Sequence, residues 1–228
     1  MELMPVSFSL MSENTRPRRR YDATLRTARA AQTRERILDA AHRVFLERGY
    51  SGATIPSIAT EAGVAVETVY RAAPGKAGLL AAVVETALAG GIDNAALRVE
   101  ERPGIRRVIE EEDPVRKLQL YAATQPGVYG RAGGILRVLD EAAQSTPELA
   151  ELRDGYGRRR LAGTRHVLSQ LGERGALRTG LSPERAADML VTVCSRCNYD
   201  SLVTERGWSP RAYRDWVADT LVRTLLEP

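Results

Sequence analysis

Six consecutive residues, Val66 to Arg71 (VETVYR), set a carboxylate, two hydroxyls, a guanidinium and an apolar contact side by side. These groups suit a nucleic-acid duplex. Glu67 can accept from a cytosine amino group or simply face solvent, Val66 can pack on a thymine methyl, and Arg71 can grip guanine or a phosphate. Elsewhere the chemistry is sparse. The chain holds no G-x-S-x-G, no glycine loop that would cradle a phosphate and no paired catalytic carboxylates, so it does not read as an enzyme. The acidic run Glu110–Glu111–Glu112–Asp113 reads as a solvated helix end, with Asp113 capping a helix that starts at Pro114, rather than as metal ligands. Cys194 and Cys197 are spaced C-x-x-C within what reads as one helix. Zinc takes about four ligands, there is no second pair, and His42 and His166 stand alone, so no metal and no cofactor is expected. The two cysteines read as small apolar residues of the core or of a dimer seam, with thiol sensing as the alternative.

The stretch Thr54 to Lys76 (TIPSIATEAGVAVETVYRAAPGK) carries the signals that would position those six residues. Ile55, Ile58, Ala59 and Ala62 follow the i, i+3, i+4, i+7 spacing of a short helix. Thr54 is a natural N-cap, and Pro56 falls in the first turn, where a missing N–H costs little. Gly63 offers the left-handed residue that stops a helix. Val66 to Ala72 then reads as a second short helix, with Val69 turned back onto the first and small Ala59 letting the backbones approach. Two short helices joined by a glycine turn make a helix-turn-helix. Its second helix would present Val66, Glu67, Thr68, Tyr70 and Arg71 to a major groove.

The longer run from Thr33 to Leu80 resembles the DNA-binding domain of the tetracycline-repressor (TetR) family of bacterial regulators. The resemblance rests on ILDAAHRVFLERGY, the threonine that opens the next helix, IATEAGVAVETVY, and a lysine at the start of the helix after the reading head. It implies that Thr54 bonds a phosphate, that Thr68 and Tyr70 belong to the recognition helix with the tyrosine on the DNA backbone, and that Lys76 adds charge where the helix dipole favours a phosphate. The chain departs from the family's usual pattern at Ala65, where serine is common, and at Ala72 and Ala73, where an aromatic pair is common. Losing the serine cap should cost the recognition helix about 1 kcal/mol. Binding should then rest more on Tyr70, Lys76 and the arginine-rich N-terminus. The resemblance also implies that the last two helices form a four-helix bundle with a symmetry mate.

Charge placement agrees. Residues 1–80 hold 12 basic and 8 acidic side chains while residues 81–228 hold 21 of each, so the formal charge of +4 sits at the proposed DNA-binding end. Residues 1–30 read as a flexible basic arm, with Arg16, Arg18, Arg19 and Arg20 beside Pro17 and no sustained helical period before Thr24. Such an arm is either a solvated tail or a source of phosphate and minor-groove contacts. The start, MELMPVSFSLM, lacks a basic n-region and does not read as a signal peptide. No run reaches the roughly 18 apolar residues of a membrane span. With only two cysteines, a cytoplasmic location without a membrane partner is expected.

Helical periods continue to the C-terminus, and no stretch alternates as a strand. Ile37, Ala40, Ala41, Val44 and Phe45 stripe a helix from Thr33 to Arg48, and a fourth helix runs from Gly75–Lys76 to Gly90–Gly91. The helix from Pro114 should break at Gln125–Pro126–Gly127 and again at Gly133–Gly134. Thr146–Pro147, Ser182–Pro183 and Ser209–Pro210 each open a further helix, the second reaching about Arg206. The expected fold is all-α, about nine to ten helices by these start and stop signals. A helix-turn-helix domain would span residues 31–78 and a ligand-binding and dimerisation bundle residues 79–228. Trp208, Tyr213 and Trp216 either form a dimer surface or pack against the long helix. Tyr121, Gln125, Tyr129, Tyr156, His166 and Asn198 are candidates to line a ligand cavity, and the scarcity of acids there favours an apolar or neutral small molecule. The expectation is a dimeric one-component regulator, a repressor released from a roughly palindromic double-stranded DNA operator by a small-molecule effector. An activator, a ligand-independent DNA-binding protein, or a helical ligand-binding protein without DNA binding are the alternatives.

Overall fold

The computed structural model describes residues 17–227, with side chains from Thr27 onward. The signal-peptide reading and the Arg16 end of the basic arm lie outside the described residues, as do the side chains of Arg18, Arg19 and Arg20. Helix α1 (Pro17–Gly52) starts well before Thr24 and bends at Gly49, φ 66° and ψ 177°. The alanines and arginines of RTARAAQTRER are strong helix formers, and they carry the helix N-terminally without an apolar stripe. Helices α2 (Ile55–Ala62), α3 (Val66–Ala72) and α4 (Gly75–Ala89) follow. A short α5 (Ile92–Ala95) and a single 3-10 turn lead to α6 (Pro103–Glu110). The bundle is completed by α7 (Pro114–Ala143), α8 (Pro147–Glu173), α9 (Pro183–Val193), α10 (Arg196–Tyr199) with a π-helical turn over Asp200–Glu205, and α11 (Pro210–Leu225). Among the described residues there is no strand, only an isolated bridge between Leu177 and Leu226. No single helix there is long and apolar enough to cross a membrane.

Two further expected features are corrected. Helix α7 runs unbroken through Pro126, Gly133 and Gly134. Proline removes only one N–H, the one that would meet the Ala122 carbonyl, and buried Ala122 and Tyr129 on either side of it stay packed in one apolar cluster. Gly134 serves packing instead, since a Cβ there would lie 2.9 Å from Leu46 Cδ2 of α1. The helix from Pro183 does not reach Arg206; it ends at Val193, and Ser195 caps α10 by accepting from Asn198 N at 3.3 Å. Cys194 and Cys197 therefore do not share one continuous helix. The first is buried, which pushes its thiol up to about 12, and the second is exposed.

Two apolar clusters share α7. The first joins α1, α2 and Val69 of α3 to Leu79, Leu80, Val83 and Val84 of α4, and to Ile135, Val138 and Leu139 of α7. The second joins α6, the N-terminal half of α7, the C-terminal half of α8, α9 and α11. Each fully buried Leu, Ile or Phe stabilises by about 1.5–3 kcal/mol, so this shared helix ties the N-terminal helices firmly to the bundle.

His42 of α1 sits at the edge of the first cluster, its Nε2 buried without a partner among the described residues. Burial holds its pKa below the ordinary histidine value, outweighing the opposite pull of Asp39. The unfolded chain then binds more protons than the folded one, so stability is present above about pH 6.5 and declines on acidification below it. Between about pH 7 and 5 the thermal midpoint of the native chain should fall further than that of His42→Gln. Equal falls would show that His42 does not carry this dependence.

Candidate nucleic-acid interface

The reading unit begins at Thr54, whose Oγ1 accepts from Ser57 N at 3.2 Å while Ser57 Oγ accepts from Thr54 N at 3.2 Å. This reciprocal cap fixes the start of α2 and leaves the exposed Thr54 hydroxyl proton free to donate to a phosphate. Ile55, Ile58, Ala59 and Ala62 are buried beneath. Gly63 takes the left-handed conformation (φ 63°, ψ 42°), and Val64 N returns to Ala59 O at 3.0 Å. A side chain at Gly63 would strain that turn by about 1–2 kcal/mol.

Helix α3 lacks a side-chain cap at Ala65, as its alanine dictates. Its orientation is set by one inward residue: Val69 is 1% exposed whereas Tyr70 beside it is 57% exposed. Glu67 and Arg71 are exposed, and Val66 and Thr68 are half-buried. Glu67 falls in the first turn and Arg71 in the last, each complementing the helix dipole. Arg71 Nη2 rests on Thr68 Oγ1 at 3.2 Å, so the two residues form one polar unit. Lys76 is engaged within the chain: Nζ donates to Tyr50 O at 2.8 Å and Ala53 O at 3.0 Å, and lies 4.3 Å from the centre of the Tyr50 ring. Two of its three N–H groups thus close the end of α1, and one remains for an outside acceptor.

Two supports leave no mark in the sequence pattern. Arg34 donates to Ala72 O at the end of α3, and Arg43 pairs with Glu61 at 2.9 Å between α1 and α2. The exposed Arg43 pair contributes about 0–1 kcal/mol. Both arginines lie on the polar face of α1, where periodicity indicates only solvent.

The six cavity candidates do not share one site. Tyr121, Gln125 and Tyr129 are buried along α7. Tyr121 OH lies 3.4 Å from Thr164 Oγ1. Tyr129 OH donates to Cys194 O at 2.5 Å and accepts from Arg160 Nη1 at 2.5 Å, while Arg160 also donates to Cys194 O. The break after Val193 leaves that carbonyl without a helical partner, and Arg160 and Tyr129 supply one. Burial pushes the Tyr129 phenol up to about 12. Tyr156 is elsewhere, donating to Ala81 O of α4 at 3.1 Å. His166 is exposed on α8. Asn198 Nδ2 closes the end of α9, donating to Thr192 O and Val193 O at 3.0 and 3.1 Å.

Of the three aromatic residues near the C-terminus, Trp208 is exposed and Trp216 half-buried. Tyr213 is fully buried, edge-on to Tyr199 at 5.1 Å and 6.0 Å from Trp216. It belongs to the chain's own core, because α11 turns that face onto α7 and α10 rather than outward.

Residues 37–83 match the family described as "Bacterial regulatory proteins, tetR family". The HTH-type transcriptional repressor BepR of Brucella suis is 28% identical over 206 residues, spanning 88% of this chain and 95% of BepR. The HTH-type transcriptional regulator TtgR of Pseudomonas putida is 30% identical over 167 residues, spanning 69% of this chain and 74% of TtgR. Among solved structures, the SmeT–triclosan complex matches with a TM-score of 0.68 at 24% identity, over 86% of this chain and 92% of SmeT.

Proposed function

The chain belongs to the TetR family and is a DNA-binding transcriptional regulator, and from that premise we propose that it is a homodimeric repressor which a small molecule releases from a palindromic operator. The observation that carries the reading is the contrast on α3, where Val69 is anchored at 1% exposure and Tyr70 projects at 57%. An exposed tyrosine with Glu67 and Arg71 on one rigid helix is a reading surface, and the basic surplus of the N-terminal third draws it to phosphate. Thr54, Thr68, Tyr70 and the free N–H of Lys76 would meet the backbone, and Val66, Glu67 and Arg71 the base edges. Two-fold pairing through α9, α11 and the exposed Trp208 would set the two α3 helices about 34–36 Å apart.

Helix α4 would carry the signal. It is gripped at its N-terminus by Lys76 on the end of α1, and from the bundle by Tyr156 on Ala81 O and Arg131 on Ala87 O. A ligand that rearranges the bundle grips would move α4 and spoil the spacing, provided it binds the non-DNA state more tightly. The repressor relatives and the triclosan-bound SmeT support this reading.

A gel shift with DNA upstream of the chain's own coding region, read together with the mass of the complex, tests the proposal. Two chains per duplex are expected, and one chain per site would sink the dimer. Glu67→Ala should relax base preference at one position by about 1–3 kcal/mol while overall affinity changes little. Selection of bound sequences from a random pool would reveal it, and an unchanged preference would place Glu67 in solvent.

A further inference from the structure

Between the C-terminal end of α4, the start of α6 and the middle of α7 lies a cleft of about 440 Å³, within the usual range of small-molecule sites. Arg102, Arg107 and Arg131 line it with apolar Leu88, Ile105 and Leu120, and among the described residues no acidic side chain does. Arg102 pairs with Glu85 at 2.6 Å, yet its Nε is buried without an acceptor among the described residues. Glu85 is itself shared, lying 4.0 Å from Arg159. Among the described residues Arg131 is held only by a long bond, Nε to Ala87 O at 3.4 Å. Three guanidiniums thus line the cleft, and the Glu85 carboxylate that one of them meets is already shared.

A neutral hydrocarbon placed there would strip water from those cations without replacing it, and a bare inorganic anion would leave the apolar wall uncovered. The occupant that satisfies both walls is charged at one end and apolar at the other. We propose that this cleft binds an amphipathic organic anion, a carboxylate with a hydrocarbon body, and that the ligand draws Arg131 off the end of α4. This rests on the reading that a small molecule governs DNA binding, and it replaces the apolar or neutral effector expected from composition. The coupling is local. Arg131 Nη2 sits 3.1 Å from where a Cβ would stand on Gly90, the left-handed residue that ends α4 (φ 81°). An anion that captures this guanidinium removes a cation from the negative end of the α4 dipole and frees the Ala87 carbonyl.

Calorimetric titration of the full chain, without DNA, with octanoate, octanol and acetate tests the assignment. Octanoate should bind about tenfold or more tightly than either other probe. The Arg107→Gln/Arg131→Gln double variant should lose about tenfold in octanoate affinity and keep its octanol affinity, which also shows that the variant is folded. Octanoate should also speed amide hydrogen exchange at Gly90 several-fold. No octanoate binding, equal binding of octanoate and octanol, or a double variant that binds octanoate normally would each overturn the proposal. The outcome is separable from the operator reading. A chain that binds octanoate but no DNA keeps the cleft and loses the operator, and one that binds DNA but no octanoate does the reverse.

Discussion

Phe45→Ala is expected to lower folding stability by about 3–5 kcal/mol, enough to reduce the thermal midpoint by roughly 10 °C in a chain of this size. Phe45 is fully buried and stacks near Tyr50 at 6.1 Å. Tyr50 in turn underlies the Lys76 ammonium, so the cavity would open beneath the joint between α1 and α4. Because that cluster continues through α4 into α7, the loss should appear in the unfolding of the whole chain rather than of a detached N-terminal piece. Urea denaturation followed by circular dichroism measures it. A loss below about 1 kcal/mol, or a separate early transition, would mean that Phe45 is not central to this core.

Lys76→Met should be the most damaging single change at the edge of the reading unit that leaves α3 untouched. Methionine keeps the stem but removes the donors to Tyr50 O and Ala53 O. Orphaning part-buried carbonyls costs about 1–3 kcal/mol. If the third N–H of Lys76 meets a phosphate, the plot of log affinity against log salt should also become shallower by about one charge. A stability loss with an unchanged salt slope would confine Lys76 to closing the end of α1. An unchanged slope and unchanged stability would contradict both roles.

The reading unit was legible because its signals are local. Thr54, Pro56 and Gly63 each act within one turn of where they stand, and the structure uses all three. What was not legible depended on distant partners. Pro126 and the Gly133–Gly134 pair look like breaks, yet α7, packed on several neighbouring helices, stays continuous, and Gly134 proves to be a contact point for Leu46. The break after Val193 has neither glycine nor proline to announce it. It is accommodated by Arg160 and Tyr129, which lie 34 and 65 positions before Cys194 in the chain. Tyr213 illustrates the same limit: a large aromatic on an amphipathic helix suits an interface as well as a core, and only the placement of Tyr199 against it decides. Arg34 and Arg43 repeat the lesson on α1, where side chains that hold α3 and α2 in place carry the pattern of an ordinary solvated face.

The most direct test of the central claim is fluorescence anisotropy of the native chain and of Tyr70→Ala on duplex DNA from upstream of its own coding region, at near-physiological salt. Tyr70 is exposed, so its removal should leave the thermal midpoint in place while operator affinity falls about tenfold or more. Equal affinity of the two proteins for that DNA would contradict the placement of α3 in the groove.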